Sequence, residues 1–335
     1  MSMAEARNGS ASAQFEIGVC YFFGFGADKE ESEAIKWWKE AANQGHAGAQ
    51  NNLGEAYRNG LGMPERDFER AVEWYRKAAT QGHADAQYNL ANRYYFGEGV
   101  PNDPEQAIAW WNRAAEQNHA DAQHNLGVCY AAGDCVAKNN ELSVFWLGKA
   151  AEQGNVESLH NLALSYVNGE GVEQDQVMAF SYYKKAAELG FATSQHNLAL
   201  CYLNGNGTEK DPAQAFSWWE KAALSGHQEA QRIVALLYFN GIGVAKNLVE
   251  SHAYFSLATV PQEEIFVPTD HLQRVLEARK NIKALEKEMS PEQIDSAKER
   301  TGSLESEILS NVKAIKDKAV MAQRNRMRAG ATSGK

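Results

Sequence analysis

Residues 82–100 read GHADAQYNLANRYYFGEGV, and residues 190–208 read GFATSQHNLALCYLNGNGT on the same skeleton. In the first stretch Ala86, Leu90, Ala91 and Tyr94 recur at helical spacing, which predicts an amphipathic helix over 84–96. The Gly-x-Gly that follows ends it, because glycine enters the left-handed region without steric cost. Seven tyrosines, Tyr21, Tyr57, Tyr94, Tyr130, Tyr166, Tyr202 and Tyr238, mark this register at spacings of 36 or 37 residues. A glycine stands three residues after each, and a second glycine two further on in six of the seven units; the exception is Cys135. A period of this length signals a repeat architecture.

The other half of each unit reads as a second helix. Its N-cap position holds Glu30, Asp67, Asp103, Asn139, Asp175, Asp211 and Asn247, mostly residues whose side chains accept from free helical N–H groups. Pro104 and Pro212 follow directly, where a missing N–H costs nothing. An aromatic pair and two small residues come next, as in Trp110, Trp111, Ala114 and Ala115. The helix stops at Gly45, Gly82, Asn118, Gly154, Gly190 or Gly226, asparagine being the next-best left-handed cap.

The pattern A-x-A-Q-x-N-L-x-x-x-Y-x-x-G-x-G-V, then A-x-x-W-W-x-x-A-A-x-x-G-H, resembles the Sel-one-like repeats, relatives of the tetratricopeptide repeats, over residues 9–260. The expected fold is all-α, a right-handed α-solenoid of about seven helix-turn-helix repeats with C-terminal capping helices. Residues 1–8 match the end of a second helix ("EARNG"), so the chain begins in mid-unit, after a missing upstream repeat or with a minimal cap. Residues 261–321 are expected to supply the capping helices, with Ser290, Pro291 and Gln293 reading as N-cap, N1 and capping-box partner. Residues 322–335 form a basic, small and polar tail expected to be disordered.

Composition bounds the function. The 335 residues are 44% hydrophobic and 23% charged, as in a folded chain, and the net charge of −10 argues against a nucleic-acid binder. No run of 18 apolar residues and no signal-peptide core is present. Four cysteines are too few for a disulfide framework, which favours a reducing cytoplasm, with a periplasmic or secreted location if a leader preceded residue 1. There is no G-x-S-x-G elbow, phosphate-binding loop or H-E-x-x-H, so we expect no enzyme and no cofactor.

Histidines and cysteines read as repeat positions. His46, His83, His119 and His227 follow the helix-stopping residue and read as loop residues. His124, His160 and His196 share one register of successive first helices, on the order of 10 Å apart, too far to converge on one metal. Cys20, Cys129 and Cys201 precede the repeat tyrosine and read as small packing residues. Cys135 replaces a turn glycine, so a left-handed conformation is expected there and Cys135→Gly should be neutral or stabilising. An exposed thiol at Cys135 and a Cys129–Cys135 bridge both remain open on sequence.

The tetratricopeptide resemblance implies that first helices line a concave groove. One inner column is then Phe15, Asn51, Tyr88, His124, His160, His196 and Arg232, and beside it run Asn52, Asn89, Asn125, Asn161 and Asn197. One turn on come Glu55, Asn92, Val128, Leu164 and Leu200, then Arg58, Tyr95, Ala131, Val167 and Leu203. The asparagines either bond neighbouring repeats or offer donors and acceptors to an extended peptide. The candidate partner-binding residues are Arg58, Tyr88, Asn89, Asn92, Tyr95, His124, Asn125, His160, Asn161, His196, Asn197 and Arg232. Aromatic and arginine side chains are the usual interface anchors. The implied function is a non-enzymatic scaffold or adaptor holding a partner protein or peptide. A glycan or cell-wall-fragment binder, with or without weak hydrolase activity, and a chaperone or effector-neutralising protein are the alternatives. Histidines in the groove would make binding pH-dependent below about pH 6.

Overall fold

The structure, a computed structural model, describes residues 3–259 and 271–329; among them are seventeen helices and no strand. A short α1 (Met3–Arg7) precedes seven helix pairs. The pairs are α2 (Ala11–Phe23) with α3 (Glu31–Asn43), α4 (Ala47–Asn59) with α5 (Phe68–Thr80), and α6 (Ala84–Phe96) with α7 (Pro104–Glu116). Then come α8 (Ala120–Ala132) with α9 (Asn140–Glu152), α10 (Val156–Asn168) with α11 (Gln176–Glu188), and α12 (Ala192–Asn204) with α13 (Pro212–Leu224). The seventh pair is α14 (Gln228–Asn240) with α15 (Leu248–Leu257), and α16 (His271–Leu285) and α17 (Pro291–Ala329) follow. Below, the first helix of a pair is its A helix and the second its B helix. The chain divides into two compact units, Met1–Asn155 with Ala319–Lys335, and Val156–Lys318.

The ends of the helices follow from their caps. All seven expected N-cap positions of B helices hold that place, and every side chain but that of Glu30 accepts from the following turn. Asn118 lies at φ 67°, the only non-glycine residue with positive φ among the described residues, as its stop position requires.

Burial explains the aromatic pair. The second member, Trp38, Tyr75, Trp111, Leu147, Tyr183, Trp219 or Phe255, is buried in every repeat, and all but Leu147 pack among alanines of the same and neighbouring helices. The first member lies beneath a cation, partly exposed at Trp74 and Trp218 and buried at Trp110: Lys77 Nζ sits 3.9 Å from the Trp74 ring centre, Arg113 4.3 Å from Trp110 and Lys221 3.9 Å from Trp218.

Adjacent repeats are joined by the glutamine of the A-x-A-Q motif. Gln50 Nε2 donates to the Ala42 carbonyl at 3.1 Å, Gln87 to Ala79 at 3.1 Å and Gln123 to Ala115 at 3.0 Å. In the first unit each of these glutamines also accepts from a glutamine ending the next B helix, as Gln87 does from Gln117 at 2.7 Å. These buried amides give a second donor to B-helix carbonyls that also accept from the backbone N–H three residues on. Gln14 makes the same bond to Ala6 in α1, so that short helix stands in for a preceding B helix.

The C-terminal helices close the second unit's core: Ala278, Leu285, Met289, Ala297 and Leu304 are buried with Tyr254 and Phe255. The Ser290 capping box forms as read, Gln293 N donating to Ser290 Oγ at 3.3 Å and Ser290 N to Gln293 Oε1 at 2.9 Å. The expected break at residue 322 does not occur. Helix α17 continues to Ala329, because MAQRNRMRA contains neither glycine nor proline and consists mostly of good helix formers. The start of the expected capping segment (261–270) and the last tail residues (330–335) lie outside the described residues.

Candidate functional site

The loop histidines have a role that their position alone did not disclose. His46, His83, His119 and His227 are the N-caps of A helices, each Nδ1 accepting from the backbone N–H three residues on at 3.2–3.3 Å. Accepting at Nδ1 fixes the neutral tautomer with its proton on Nε2, and His119 Nε2 lies 3.2 Å from Asp85 Oδ1 in the preceding repeat. Histidine is an unusual cap, so propensity gave no signal. The recurring G-H-A-x-A-Q spacing was the signal available.

The first inner column packs onto these caps. Phe15 stacks on His46 with ring centres 4.5 Å apart, Tyr88 on His119 at 4.7 Å and His196 on His227 at 5.0 Å. His160 meets Phe191, the cap of its own next repeat, at 5.3 Å, and its Nδ1 lies 2.9 Å from Ser194 Oγ. Trp219 Nε1 donates to His196 Nδ1 at 3.2 Å. These rings therefore have a packing role between repeats, which the sequence reading did not assign to them. Tyr88, His124, His160 and His196 each keep part of their surface open, whereas Phe15 is fully buried.

The asparagine columns bond neighbouring helices. Asn89 Nδ2 donates to Asn51 Oδ1 at 3.1 Å, and Asn92 Oδ1 accepts from Trp111 Nε1 at 3.0 Å and from Asn125 Nδ2 at 3.3 Å. Asn197 bonds the Tyr183 hydroxyl. Asn161 is half-buried on α10. In the second repeat the expected inner residues Asn51, Asn52 and Glu55 are buried, at 5, 3 and 7% exposure, and are closed to a partner. Glu55 instead accepts from the Tyr75 hydroxyl at 2.8 Å, and Arg58 Nη1 lies 3.6 Å from its other oxygen. Burial beside this carboxylate pushes the Tyr75 phenol well above its usual range. Arg232 is held by Glu229, with Nη2 to Oε1 at 2.6 Å.

An open face remains within each unit. In the first, Val128 is 39% exposed on α8, and half-buried Tyr95 donates to Asp134 Oδ2 at 3.2 Å beside the Trp111 ring. In the second, Leu164 is 37% exposed on α10. Phe96, at the end of α6, is more open still at 63% exposure.

The fourth repeat's turn departs from the others. Cys135 is buried and bonded to Cys129, with Cα atoms 5.7 Å apart, so the exposed thiol is ruled out. Nor does Cys135 adopt positive φ. In the third repeat the same slot, Gly99, would place a Cβ 2.2 Å from the Phe68 carbonyl oxygen of the preceding B helix, an approach only glycine permits. A cysteine must turn differently, and the bridge to Cys129 anchors that different turn. Cys135→Ser should therefore cost about 2 kcal/mol through loss of a short-loop tether. Cys135→Gly should cost less, since it restores the repeat's turn; melting under non-reducing conditions separates the two.

The pH response is set by burial. Burial, and then the neighbouring His227, push the His196 imidazole down to about 4, and burial also lowers His160, His46 and His83. The expectation of groove histidines charging below about pH 6 is corrected for His160 and His196, which stay neutral further into acid. With folded values below unfolded ones, the unfolded chain binds more protons, so stability falls as pH drops from about 6.5 toward 4. Allowing for partial exposure, His196 should contribute about 1 kcal/mol to that loss. Replacing it by Asn should flatten the fall in melting temperature between pH 6.5 and 5, and an unchanged slope would exclude the assignment.

These helix pairs, joined repeat to repeat by buried glutamines and capping histidines, define an all-α solenoid of the tetratricopeptide-like class. The chain belongs to the Sel1 repeat family, which matches residues 11–46, 47–83, 84–119, 120–155, 156–191, 192–227 and 228–259. It is similar to a Sel1 repeat protein from Oxalobacter formigenes, 32% identical with a TM-score of 0.66, covering 76% of this chain and 99% of that one. It is also similar to a protective antigen with an SLR fold present in uropathogenic Escherichia coli strains, 30% identical with a TM-score of 0.53, covering 93% of this chain and 72% of that one. A segment of 59 residues, 17% of this chain, is 34% identical to the ERAD-associated E3 ubiquitin-protein ligase component HRD3A of Arabidopsis thaliana and spans 9% of that protein's length. Sel1-repeat proteins are generally non-catalytic protein-interaction scaffolds. Among the described residues no helix is long and apolar enough to cross a membrane.

Proposed function

We propose that this chain is a non-catalytic scaffold that holds a partner protein or peptide segment against the face formed by its A helices. The observation that supports this most is the apolar surface those helices leave open, Val128 at 39% and Leu164 at 37% exposure. In the first unit Tyr95 and His124 share that face, and in the second His160 and His196 do. Within each unit, aromatic or imidazole side chains beside an exposed apolar one are the composition of an interface anchor. The half-buried amides of Asn89, Asn92, Asn125, Asn161 and Asn197 add polar edges for orientation, and Arg58 in the first unit and Arg232 in the second supply cations. With Cys129 and Cys135 bridged, cysteine usage no longer favours a reducing compartment, and the proposal is independent of compartment.

The test is affinity capture with the intact chain and with two double variants. Val128→Arg with Leu164→Arg places charge on the A-helix face at sites already open to water. Glu73→Arg with Lys184→Glu changes exposed B-helix residues. Proteins held by the wild type should be lost from the first variant and kept by the second. The reverse pattern would contradict the proposal.

A further inference from the structure

Beside the open face of the first unit lies a cluster of a different chemical kind. Cys129 ends the third turn of α8, and Asp134 and Cys135 lie in the loop after it. The two sulfur atoms and a carboxylate oxygen of Asp134 all fall within 4.8 Å of one another. We propose that, once the Cys129–Cys135 bridge is reduced, these three side chains form a site for a thiophilic divalent cation of the zinc class.

The donor set fits the chemistry. Two thiolates and one carboxylate are ligands such an ion accepts, leaving a fourth, tetrahedral position for water. Two thiolates on one tetrahedral ion stand about 3.8 Å apart, given metal–sulfur bonds of about 2.3 Å. Rotation about the Cys side-chain bonds supplies that separation from the bridged state without moving the helix. The carboxylate already has a supporting contact: Tyr95 on α6 donates its hydroxyl to Asp134 Oδ2 at 3.2 Å. The other oxygen, Oδ1, lies 3.2 Å from Cys135 Sγ. A hydrogen bond to the far oxygen of a ligating carboxylate orients it, as outer contacts of metal sites do. The cluster is buried at Cys129 and Cys135 and open at Asp134, so the ion would enter from the loop side.

The reaction balances as a two-electron exchange. A dithiol or phosphine reductant gives two electrons to the disulfide; the S–S bond breaks, two protons are taken up, and the reductant is oxidised. The arriving ion then displaces the two thiol protons to solvent. Reduction and metal binding are thus linked: the bridged Cys129–Cys135 pair has no thiolate to offer, and the loaded pair has no free thiol to oxidise. The metal would hold the same turn that the bridge holds.

The experiment uses the full chain reduced with a phosphine, freed of reductant without air, and titrated with Cd²⁺ while the thiolate-to-metal absorption is followed. Zn²⁺ is then used in competition. The reduced wild type should bind one equivalent more than the bridged wild type, a comparison that needs no mutation. Cys129→Ser with Cys135→Ser should lose that equivalent while Cys20 and Cys201 remain. Asp134→Asn should weaken it at least tenfold, with circular dichroism confirming unchanged helix content. Equal binding by reduced and bridged wild type, or full affinity in the double serine variant, would overturn the site. Full affinity in Asp134→Asn would remove the carboxylate from the ligand set and overturn the three-ligand proposal.

Discussion

Gly99→Ala should destabilise the third repeat by about 3 kcal/mol or more, a large effect for one methyl group. Two costs combine. Gly99 lies at φ +75°, where a side chain costs about 1–2 kcal/mol. The added Cβ would also stand 2.2 Å from the Phe68 carbonyl oxygen and 2.4 Å from its carbon, backbone atoms that cannot swing aside. The matched control is Gly82→Ala, at φ +90° with no atom within 4 Å of the new Cβ, which should cost only the conformational part. Urea unfolding of the two variants, compared at equal slope, separates strain from collision. Equal losses would mean that the turn yields and that the close approach between repeats is not fixed.

Trp111→Ala should be larger still, about 4 kcal/mol, in the range for an emptied aromatic core site. The indole is 2% exposed, packs in the core of α6, α7 and α8, and donates through Nε1 to Asn92 Oδ1 at 3.0 Å. Its loss leaves a cavity between helices and frees an amide that also accepts from Asn125. Because each repeat is supported mainly by its neighbours, the damage should concentrate in repeats three and four. Native-state hydrogen exchange should show α6 to α8 opening well before α2 to α4. Uniform loss of protection along residues 3–155 would show instead that the first unit unfolds as one body.

Much of this architecture was legible in the residues. Period, helix pairing, the Asp and Asn caps and the left-handed Asn118 all follow from local stereochemistry, which recurs in each unit and so averages out accident. What was missed depends on contacts between helices far apart in sequence. Gln87 is conspicuous in its motif, yet its partners are Ala79, eight residues back in the preceding repeat, and Gln117, thirty residues on at the end of its own repeat's B helix. The stacking of Tyr88 on His119 likewise pairs residues 31 positions apart, so Tyr88 read as an unsupported groove anchor. Asn51, Asn52 and Glu55 share register with open residues elsewhere, but their burial depends on which side chains neighbouring helices bring over them. Cys135 was read by analogy with the glycines it replaces, whereas its own Cβ forbids their turn and its sulfur offers another anchor.

The central claim is that a partner lies on the A helices and not on the B helices. A photo-crosslinking side chain placed in turn at Val128, Leu164, Glu73 and Lys184 of the full chain, with a captured partner present, reads this directly. All four positions are exposed and spread over both units, so accessibility does not bias the result. Strong adducts from Val128 or Leu164, with little from Glu73 and Lys184, are the predicted result. Adducts mainly from Glu73 or Lys184 would contradict the account.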